Sequence, residues 1–455
     1  MTFIYSILMF ALLILFVLAI QRQLKYYHTI TPVMGWLAGL FYFIALPLTF
    51  IILNGGYEKP GYPDVYGLWG KLTTQPSEFL APFITIWITL SLTNLCVIFF
   101  TKKKTANLDE TDQVHAEWIV SIPQLKRILL ITIFISFVFF GINIVLGGGL
   151  SSYFSQHWYY RFNEYSEQFG IIFTLYLKVY SANQVILAAA TGLLIVTALK
   201  KQWQNNYGLL ALSLSTMILH MIMSGNRIYI ALLLIYILLA MVSFLDAKKL
   251  IKFFLYFIPI VPIFSIWSYI RSNIANLSSA LRNYVTTINQ ASSKIMTTLM
   301  DLTEGSNNIL LVKIMHDFGS EYDFLRGATY LRGFTSILPD SLNLYVENFS
   351  IKLAKIYQPG IRSSMNSTAL GEAWANFGYL VIPLIPIFTV LIMKIGDHLF
   401  NHREKQTLLT SVLLVILAWM ARSVFAENFQ VLVISFLIIW ALRYEKNLLC
   451  LSDSN

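Results

Sequence analysis

The chain has 455 residues, of which 57% are hydrophobic and only 12% charged, and its formal net charge is +9. Soluble globular domains carry about one-quarter charged residues, so this composition excludes a soluble enzyme and implies an all-α polytopic membrane protein. The positive charge forms no basic stripe interleaved with aromatics on a soluble domain, which leaves no ground for nucleic-acid binding.

Bilayer-crossing helices need about 17 to 25 apolar residues. In chain order the candidates are Phe3 to Ile20, Val33 to Leu53, Phe79 to Phe100, Ile128 to Leu146, Ile171 to Leu199, Tyr207 to Met223, Ile228 to Leu245 and Phe253 to Ile270. After a long polar interval come Phe377 to Ile395, Leu408 to Met420 and Val431 to Leu442, the last two with their flanks. The expectation is about eleven spans in three segments: residues 1–270 with eight spans, an insertion at 271–376, and residues 377–455 with three spans and a short tail. The first run lacks a basic leader and a small-residue cleavage site, so it is expected to remain as a span.

Orientation follows from the connectors, because short cytoplasmic loops retain Lys and Arg. Alternate connectors hold Arg22, Lys25, Lys102, Lys103, Lys104, Lys126, Arg127, Lys200, Lys201, Lys248, Lys249, Lys252, Lys394, Arg403, Lys405, Arg443 and Lys446. The other set, without the long insertion, holds only Lys59, Lys71, Arg161, Arg227 and Arg422. The imbalance places the N-terminus and the insertion outside and the C-terminus in the cytoplasm. Both cysteines, Cys96 and Cys450, then lie toward the reducing side, which argues against a disulfide framework.

Several chemistries find no motif. The connectors are too short for a nucleotide-binding domain, and no phosphate loop or dinucleotide turn is present. No His, Cys or carboxylate cluster has the sequence spacing of a metal site, so no metal or cofactor is expected.

What stands out is a set of arginines delivered to one membrane level by different spans. Arg161 lies in the connector Tyr153 to Tyr165, Arg227 in the turn Ser224-Gly225-Asn226-Arg227, Arg271 just past the eighth span, and Arg422 near the outer end of the tenth. Arginine stays charged and grips phosphate oxygens in a bidentate fork. Arg227 opens a helix, where the macrodipole disfavours a cation and favours a bound anion; the alternative is snorkelling to lipid headgroups. Lys178, Asn183, Gln184 and His220 are polar groups within spans, and such groups usually face a cavity or a partner. For His220 a helix-to-helix hydrogen bond is the simpler reading.

Within the insertion, apolar residues at helical spacing predict an amphipathic surface helix over Leu277 to Met300, and a second helix over Asn307 to Phe318. Beyond them lie Tyr330-Leu331-Arg332-Gly333-Phe334 and Pro339-Asp340. The chain returns to the membrane through Ser367-Thr368-Ala369-Leu370-Gly371-Glu372-Ala373-Trp374-Ala375-Asn376-Phe377-Gly378. Glu372 is placed either to accept a proton as a general base or to pair with an arginine. Glu427, five residues after Arg422, reads as a structural partner for that arginine.

The Ser-Gly-Asn-Arg turn, the long insertion with its Leu-Arg-Gly and Pro-Asp segments, the return through Glu372 and the late Arg422 together resemble the bacterial O-antigen and oligosaccharide repeat-unit polymerases of the Wzy type. The likeness runs from about residue 150 onward as an order of features. The Arg-x10-Gly pattern of some members has no counterpart in the insertion, where the positions eleven after Arg282, Arg326, Arg332 and Arg362 are Ser293, Ile337, Asn343 and Ala373.

The resemblance implies a GT-C-like fold with one large periplasmic loop in the bacterial inner membrane. It implies an inverting glycosyltransferase that polymerises undecaprenyl-diphosphate-linked oligosaccharide units at the periplasmic face, with a flippase and a chain-length regulator as partners besides membrane lipid. Arg227, Arg271 and Arg422, with Arg161 and Arg332, would hold the diphosphate, Glu372 would activate the acceptor hydroxyl, and Trp158, Tyr159, Tyr160 and Tyr330 would stack on sugars. An O-antigen ligase or a flippase for the same lipid-linked unit is the alternative.

Overall fold

The computed structural model describes residues 2–27, 30–53, 76–101, 122–149, 158–199, 206–224, 227–244, 277–290, 305–335, 347–359, 364–401 and 408–450. These residues are almost wholly helical, with one isolated bridge between Phe318 and Tyr322. The helices are α1 (Thr2–Tyr27), α2 (Pro32–Leu40), α3 (Leu46–Leu53), α4 (Pro76–Phe100), α5 (Ile122–Leu146), α6 (Trp158–Leu199), α7 (Tyr207–Ser224) and α8 (Ile228–Phe244). They continue with α9 (Leu277–Gln290), α10 (Gly305–Asp317), α11 (Ala328–Thr335), α12 (Phe349–Tyr357), α13 (Ala369–Phe377), α14 (Val381–Asn401), α15 (Leu408–Arg422) and α16 (Phe425–Cys450).

Six segments are long and apolar enough to cross a membrane: Phe3–Tyr27, Pro32–Leu53, Phe79–Phe100, Pro123–Leu146, Leu175–Thr197 and Ala369–Asp397. Four shorter apolar helices, Tyr207–Ile222, Ile228–Val242, Leu408–Arg422 and Phe425–Ala441, correspond to further expected spans. The expected span Phe253 to Ile270 lies outside the described residues.

Helices α2 and α15 approach closely along a glycine seam. An added Cβ on Gly39 would lie 2.5 Å from the Ala418 carbonyl oxygen and 2.9 Å from the Ala421 methyl, and Gly35 meets Leu414 in the same way. Small residues four apart let two backbones approach, which gains dispersion where the surrounding lipid offers no hydrophobic drive. Because Gly35 faces Leu414 and Gly39 faces Ala418, α2 and α15 run parallel. Helix α14 runs the other way past α2, with Trp36 Nε1 donating to Thr389 Oγ1 at 2.9 Å and Gly396 beside Pro32.

These directions sort the ends of the bundle. At one end the last turns of α1, α4 and α14 meet the start of α2: Gln23 donates to Thr101 and accepts from Thr31 at 2.7 and 2.9 Å, and Tyr27 donates to Asp397. Helix α13, which precedes α14, and the last turn of α15 therefore share the opposite end.

Between α2 and α3 the helix widens to a π turn over Phe41–Ala45. Pro47 has no N–H to give the carbonyl four residues back, so the Phe43 carbonyl lacks its α-helical donor. Asn308 Nδ2 of α10 supplies a hydrogen bond at 2.7 Å.

That contact ties part of the long polar insertion into the helix bundle. Ile309, Leu310, Leu311, Val312 and Ile314 of α10 are fully buried in the main hydrophobic core, and α10 packs on α3, α4 and α13. The helix expected over Asn307 to Phe318 thus forms as part of the bundle. The amphipathic helix forms over Leu277–Gln290 with Leu281 and Val285 exposed; residues 291–300 lie outside the described residues.

Candidate functional site

Helix α13 begins at Thr368, whose Oγ1 accepts the Gly371 N–H at 3.3 Å. A cap here puts Glu372 in the first turn, where the macrodipole favours a carboxylate. Glu372 is 1% exposed. Its Oε2 accepts the backbone N–H of Phe425 at 2.6 Å, so the carboxylate also caps α16, a helix that begins 53 positions later. Its Oε1 is buried, with the Thr329 side chain as a hydrogen-bonding neighbour of the carboxylate and Glu427 as a charged one. One oxygen holds a helix, and the other can accept a proton.

Asn376, one turn on, fastens α11 over this carboxylate. Its Nδ2 donates to Thr329 Oγ1 at 2.7 Å and to the Glu372 carbonyl at 2.8 Å, while its Oδ1 accepts from Gly327 N at 3.0 Å. The turn before α11 needs a left-handed residue, which Gly327 supplies at φ +85°. The Leu325 and Arg326 N–H groups then reach the carbonyls of Ala375 and Asn376 at 2.9 and 3.1 Å.

This docking brings Tyr330 and Arg332 to the site. The Tyr330 ring packs against Phe377 and Phe425, with centroids 5.6 and 5.2 Å away. It is a packing ring, which departs from the expected sugar platform. Burial, and then the Glu372 carboxylate, push its phenol well above the ordinary value, so it remains protonated at neutral pH.

Glu427 occupies the first turn of α16. Asn348, the N-cap of α12, donates to it through Nδ2 while its Oδ1 accepts from Ser350 N at 2.8 Å. Glu427 also attracts Lys178 of α6 and repels Glu372, and it acts on the Tyr229 hydroxyl together with Arg422. The sequence reading gave this residue to Arg422 as a structural partner; in the fold the two act on the same Tyr229 hydroxyl, and Asn348 of α12 is a further partner of Glu427.

The expected arginines divide as follows. Arg422 ends α15 beside the α16 start, and Arg332 lies in the last turn of α11 within electrostatic reach of Lys178. Arg227 precedes α8, its carbonyl accepting from Ala231 N at 3.1 Å. Tyr229, two residues on, packs edge-to-face on Trp419 at 5.4 Å, so Arg227 and Arg422 stand at the same end of neighbouring helices. Arg271 lies outside the described residues.

Arg161 needs a correction. The chain is helical from Trp158, so the expected connector is the start of α6, a helix of 42 residues. Arg161 is seventeen positions before Lys178, about 25 Å along the axis at ~1.5 Å per residue.

The polar residues expected to share a cleft with Lys178 have other partners. Asn183 and Gln184 donate to Ser136 Oγ of α5 at 2.9 and 3.0 Å. His220 shares a hydrogen bond with the Tyr180 hydroxyl, the helix-to-helix role expected of it. Sequence reasoning missed Asn348, Asn376 and Tyr229; the cap signature Asn348-Phe349-Ser350 was the only local signal among them.

Comparison of the chain with protein-family models, with curated proteins and with solved structures finds no match.

A separate group, His316, Asp317 and Glu321, has ligand atoms within 4.8 Å of one another. There the Asp317 Oδ1 is already held at 2.8 Å by Lys313 Nζ and by His316 Nδ1. Burial, followed by this carboxylate, raises the phenol of nearby Tyr357.

At the α13 end, then, Glu427 attracts Lys178 and lies beside the buried Glu372 carboxylate, while Arg332 acts on Lys178 and Arg422 on Tyr229. Fixed cations in a low-dielectric site stabilise an anion far more than they would in water. Glu372 can take a proton from a group held beside that anion.

Proposed function

We propose that this chain polymerises oligosaccharide repeat units carried on undecaprenyl diphosphate, as an inverting glycosyltransferase at the outer face of a bacterial inner membrane. The observation that carries the reading is the buried Glu372 carboxylate, which caps the helix that begins just after Arg422 and has Glu427, the carboxylate that attracts Lys178, as a charged neighbour. In the reaction a hydroxyl of the incoming unit attacks the anomeric carbon of the growing chain. The new glycosidic C–O bond forms as the bond to the lipid diphosphate breaks, and the hydroxyl proton passes to Glu372. Charge developing on the departing diphosphate is met by preorganised guanidinium groups, among which Arg227, Arg332 and Arg422 are assigned. Arg271 is assigned with them from the sequence alone.

The reading includes about eleven spans in a GT-C-like arrangement, the N-terminus outside and the C-terminus in the cytoplasm. The end that gathers Arg22, Lys25 and Lys394 on α1 and α14 is the cytoplasmic one by charge, so the Glu372 end faces out. A flippase and a chain-length regulator are its expected partners.

The test is the glycan profile of a strain lacking the gene, read by gel and by mass spectrometry of surface lipopolysaccharide and undecaprenyl-linked intermediates. The expected result is surface molecules capped by a single repeat unit. Bare core with lipid-linked polymer accumulating outside would refute polymerisation in favour of ligation, and single lipid-linked units trapped inside would indicate a flippase.

A further inference from the structure

Helix α11 turns its apolar side outward. Leu331 and Phe334, three positions apart and so on one stripe, are 57% and 58% exposed, while Thr329 and Gly333 on the opposite stripe are buried. A helix on a water-facing surface shows the reverse pattern. Gly333 seats α11 against α16: a Cβ added there would lie 3.5 Å from the Ala426 Cα and 3.5 Å from the Phe429 ring. The Phe334 ring packs on Phe429 with centroids 4.9 Å apart. Phe429 heads a stripe of α16 that continues through the exposed Val433, Leu437 and Trp440. The outward face of α11 thus prolongs the exposed stripe of an apolar helix.

The register of the bundle sets its depth. Gly39 of α2 meets Ala418 of α15, so, four positions on, Phe43 is level with Arg422. The apolar segment that contains Phe43 runs on to Leu53, about 15 Å farther at ~1.5 Å per residue, within a hydrocarbon core about 30 Å thick. Helix α16 starts at Phe425, directly after Arg422, and α11 packs on its first turns. The span Pro32–Leu53 therefore reaches beyond the level of α11.

The backbone suits the same surroundings, since in hydrocarbon each N–H needs an acceptor within the protein. Leu325 and Arg326 donate to the Ala375 and Asn376 carbonyls, Gly327 to the Asn376 side chain, and Ala328, Tyr330 and Leu331 within the turn itself. The loop ahead of this turn exposes Glu321, Asp323 and Arg326. The change from charged to apolar exposure falls between Arg326 and Leu331.

We infer that α11 dips into the leaflet at the Glu372 end of the bundle, with Leu331 and Phe334 seated among lipid acyl chains. The occupant of this face is lipid hydrocarbon, because the α16 stripe it prolongs belongs to a helix apolar enough to lie in the bilayer. Glu372, tied to α11 through Asn376, then sits behind a helix whose other side is membrane. The inference stands on helix packing and holds whether or not the chain is a polymerase.

The experiment attaches a nitroxide label to the full-length chain in phosphatidylcholine nanodiscs, with Cys96→Ser and Cys450→Ser as background. Collision with oxygen, which concentrates in hydrocarbon, is measured against collision with a water-soluble nickel chelate. The labelled variants are Leu331→Cys and Phe334→Cys, with Asp323→Cys as the water-facing reference and Leu437→Cys as the lipid-facing one. The expected oxygen-to-nickel ratio at 331 and 334 is about tenfold above that at 323, since a polar chelate is excluded from hydrocarbon. A ratio equal to that at 323, with a lipid-like ratio at 437, places the face in water and overturns the inference while leaving the α16 span intact. Low collision with both probes means that a second copy or another protein covers the face, which overturns it equally. If Phe334→Cys aggregates on size-exclusion, Leu331→Cys carries the same expectation, its side chain already lying more than half exposed.

Discussion

Gly39→Ala puts a single methyl group into the α2–α15 contact, and the geometry states what it meets. The new carbon would lie 2.5 Å from the Ala418 carbonyl oxygen, 2.8 Å from the Ala418 Cα and 2.9 Å from the Ala421 methyl. Two of these three atoms are backbone, so no side chain can swing aside, and α15 must retreat by about 1 Å to restore ordinary contact. Overpacking of this kind costs about 1–3 kcal/mol. Ala421 is adjacent to Arg422, so the displacement reaches the guanidinium at the site, where a 1 Å misplacement costs on the order of a hundredfold in rate. The matched control is Gly141→Ala in α5, where nothing lies within 4 Å of the new methyl. There the better helix propensity of alanine stabilises by up to about 1 kcal/mol. Thermal unfolding of both variants in detergent, with the length distribution of surface polysaccharide in complemented strains, separates the two. The expected outcome is a lower midpoint and sharply shortened chains for Gly39→Ala only. Equal midpoints and equal chain lengths for the two variants would refute the claim that α15 is positioned by backbone contact with α2.

Glu372→Gln keeps an acceptor for the Phe425 N–H and removes only the basicity. Chain extension measured with purified protein is expected to fall by about 10²–10⁴ with little change in melting, whereas Glu372→Ala also orphans that N–H and loses about 1–3 kcal/mol; full activity in the Gln variant would exclude Glu372 as the base. Asn308→Leu deprives the Phe43 carbonyl of its donor in the π turn, and chemical denaturation should show a loss of about 1–3 kcal/mol; unchanged stability would mean that water replaces the amide. Asn376→Ala cuts the bonds to Gly327, Thr329 and the Glu372 carbonyl together, so hydrogen exchange over residues 325–335 should accelerate while α2 and α15 stay protected. Uniform protection throughout would show that α11 is held by the Leu325 and Arg326 backbone hydrogen bonds and by apolar packing with Phe425 and Phe429.

Much of this was legible along the chain. Apolar runs mark the helices because a bilayer forces each backbone to satisfy its own hydrogen bonds, and the runs survive any error in packing. The positions of Glu372, Arg422 and Lys178 as polar groups near span ends were visible for the same reason: a charge among apolar residues is conspicuous in one dimension. The residues around them were less so. Asn348 and Asn376 look like ordinary loop and helix polar residues, and only the return of α11 and α12 onto α16 gives them work.

The boundary between the two kinds of information is sharpest at residue level. Sequence alone determined an all-α membrane protein, the helix over Asn307 to Phe318 and the candidate residues, since each follows from local composition and spacing. Tertiary structure decided that α10 is buried in the bundle through Asn308 and the Phe43 carbonyl, and that Arg161 lies in the first turns of a continuous α6. It also decided that Glu427 joins Lys178 and Asn348, and that Tyr330 is packed between two phenylalanines. Those outcomes depend on which helices touch, and contact between helices is set by small-residue seams and by carbonyls freed by proline, whose partners lie hundreds of positions away.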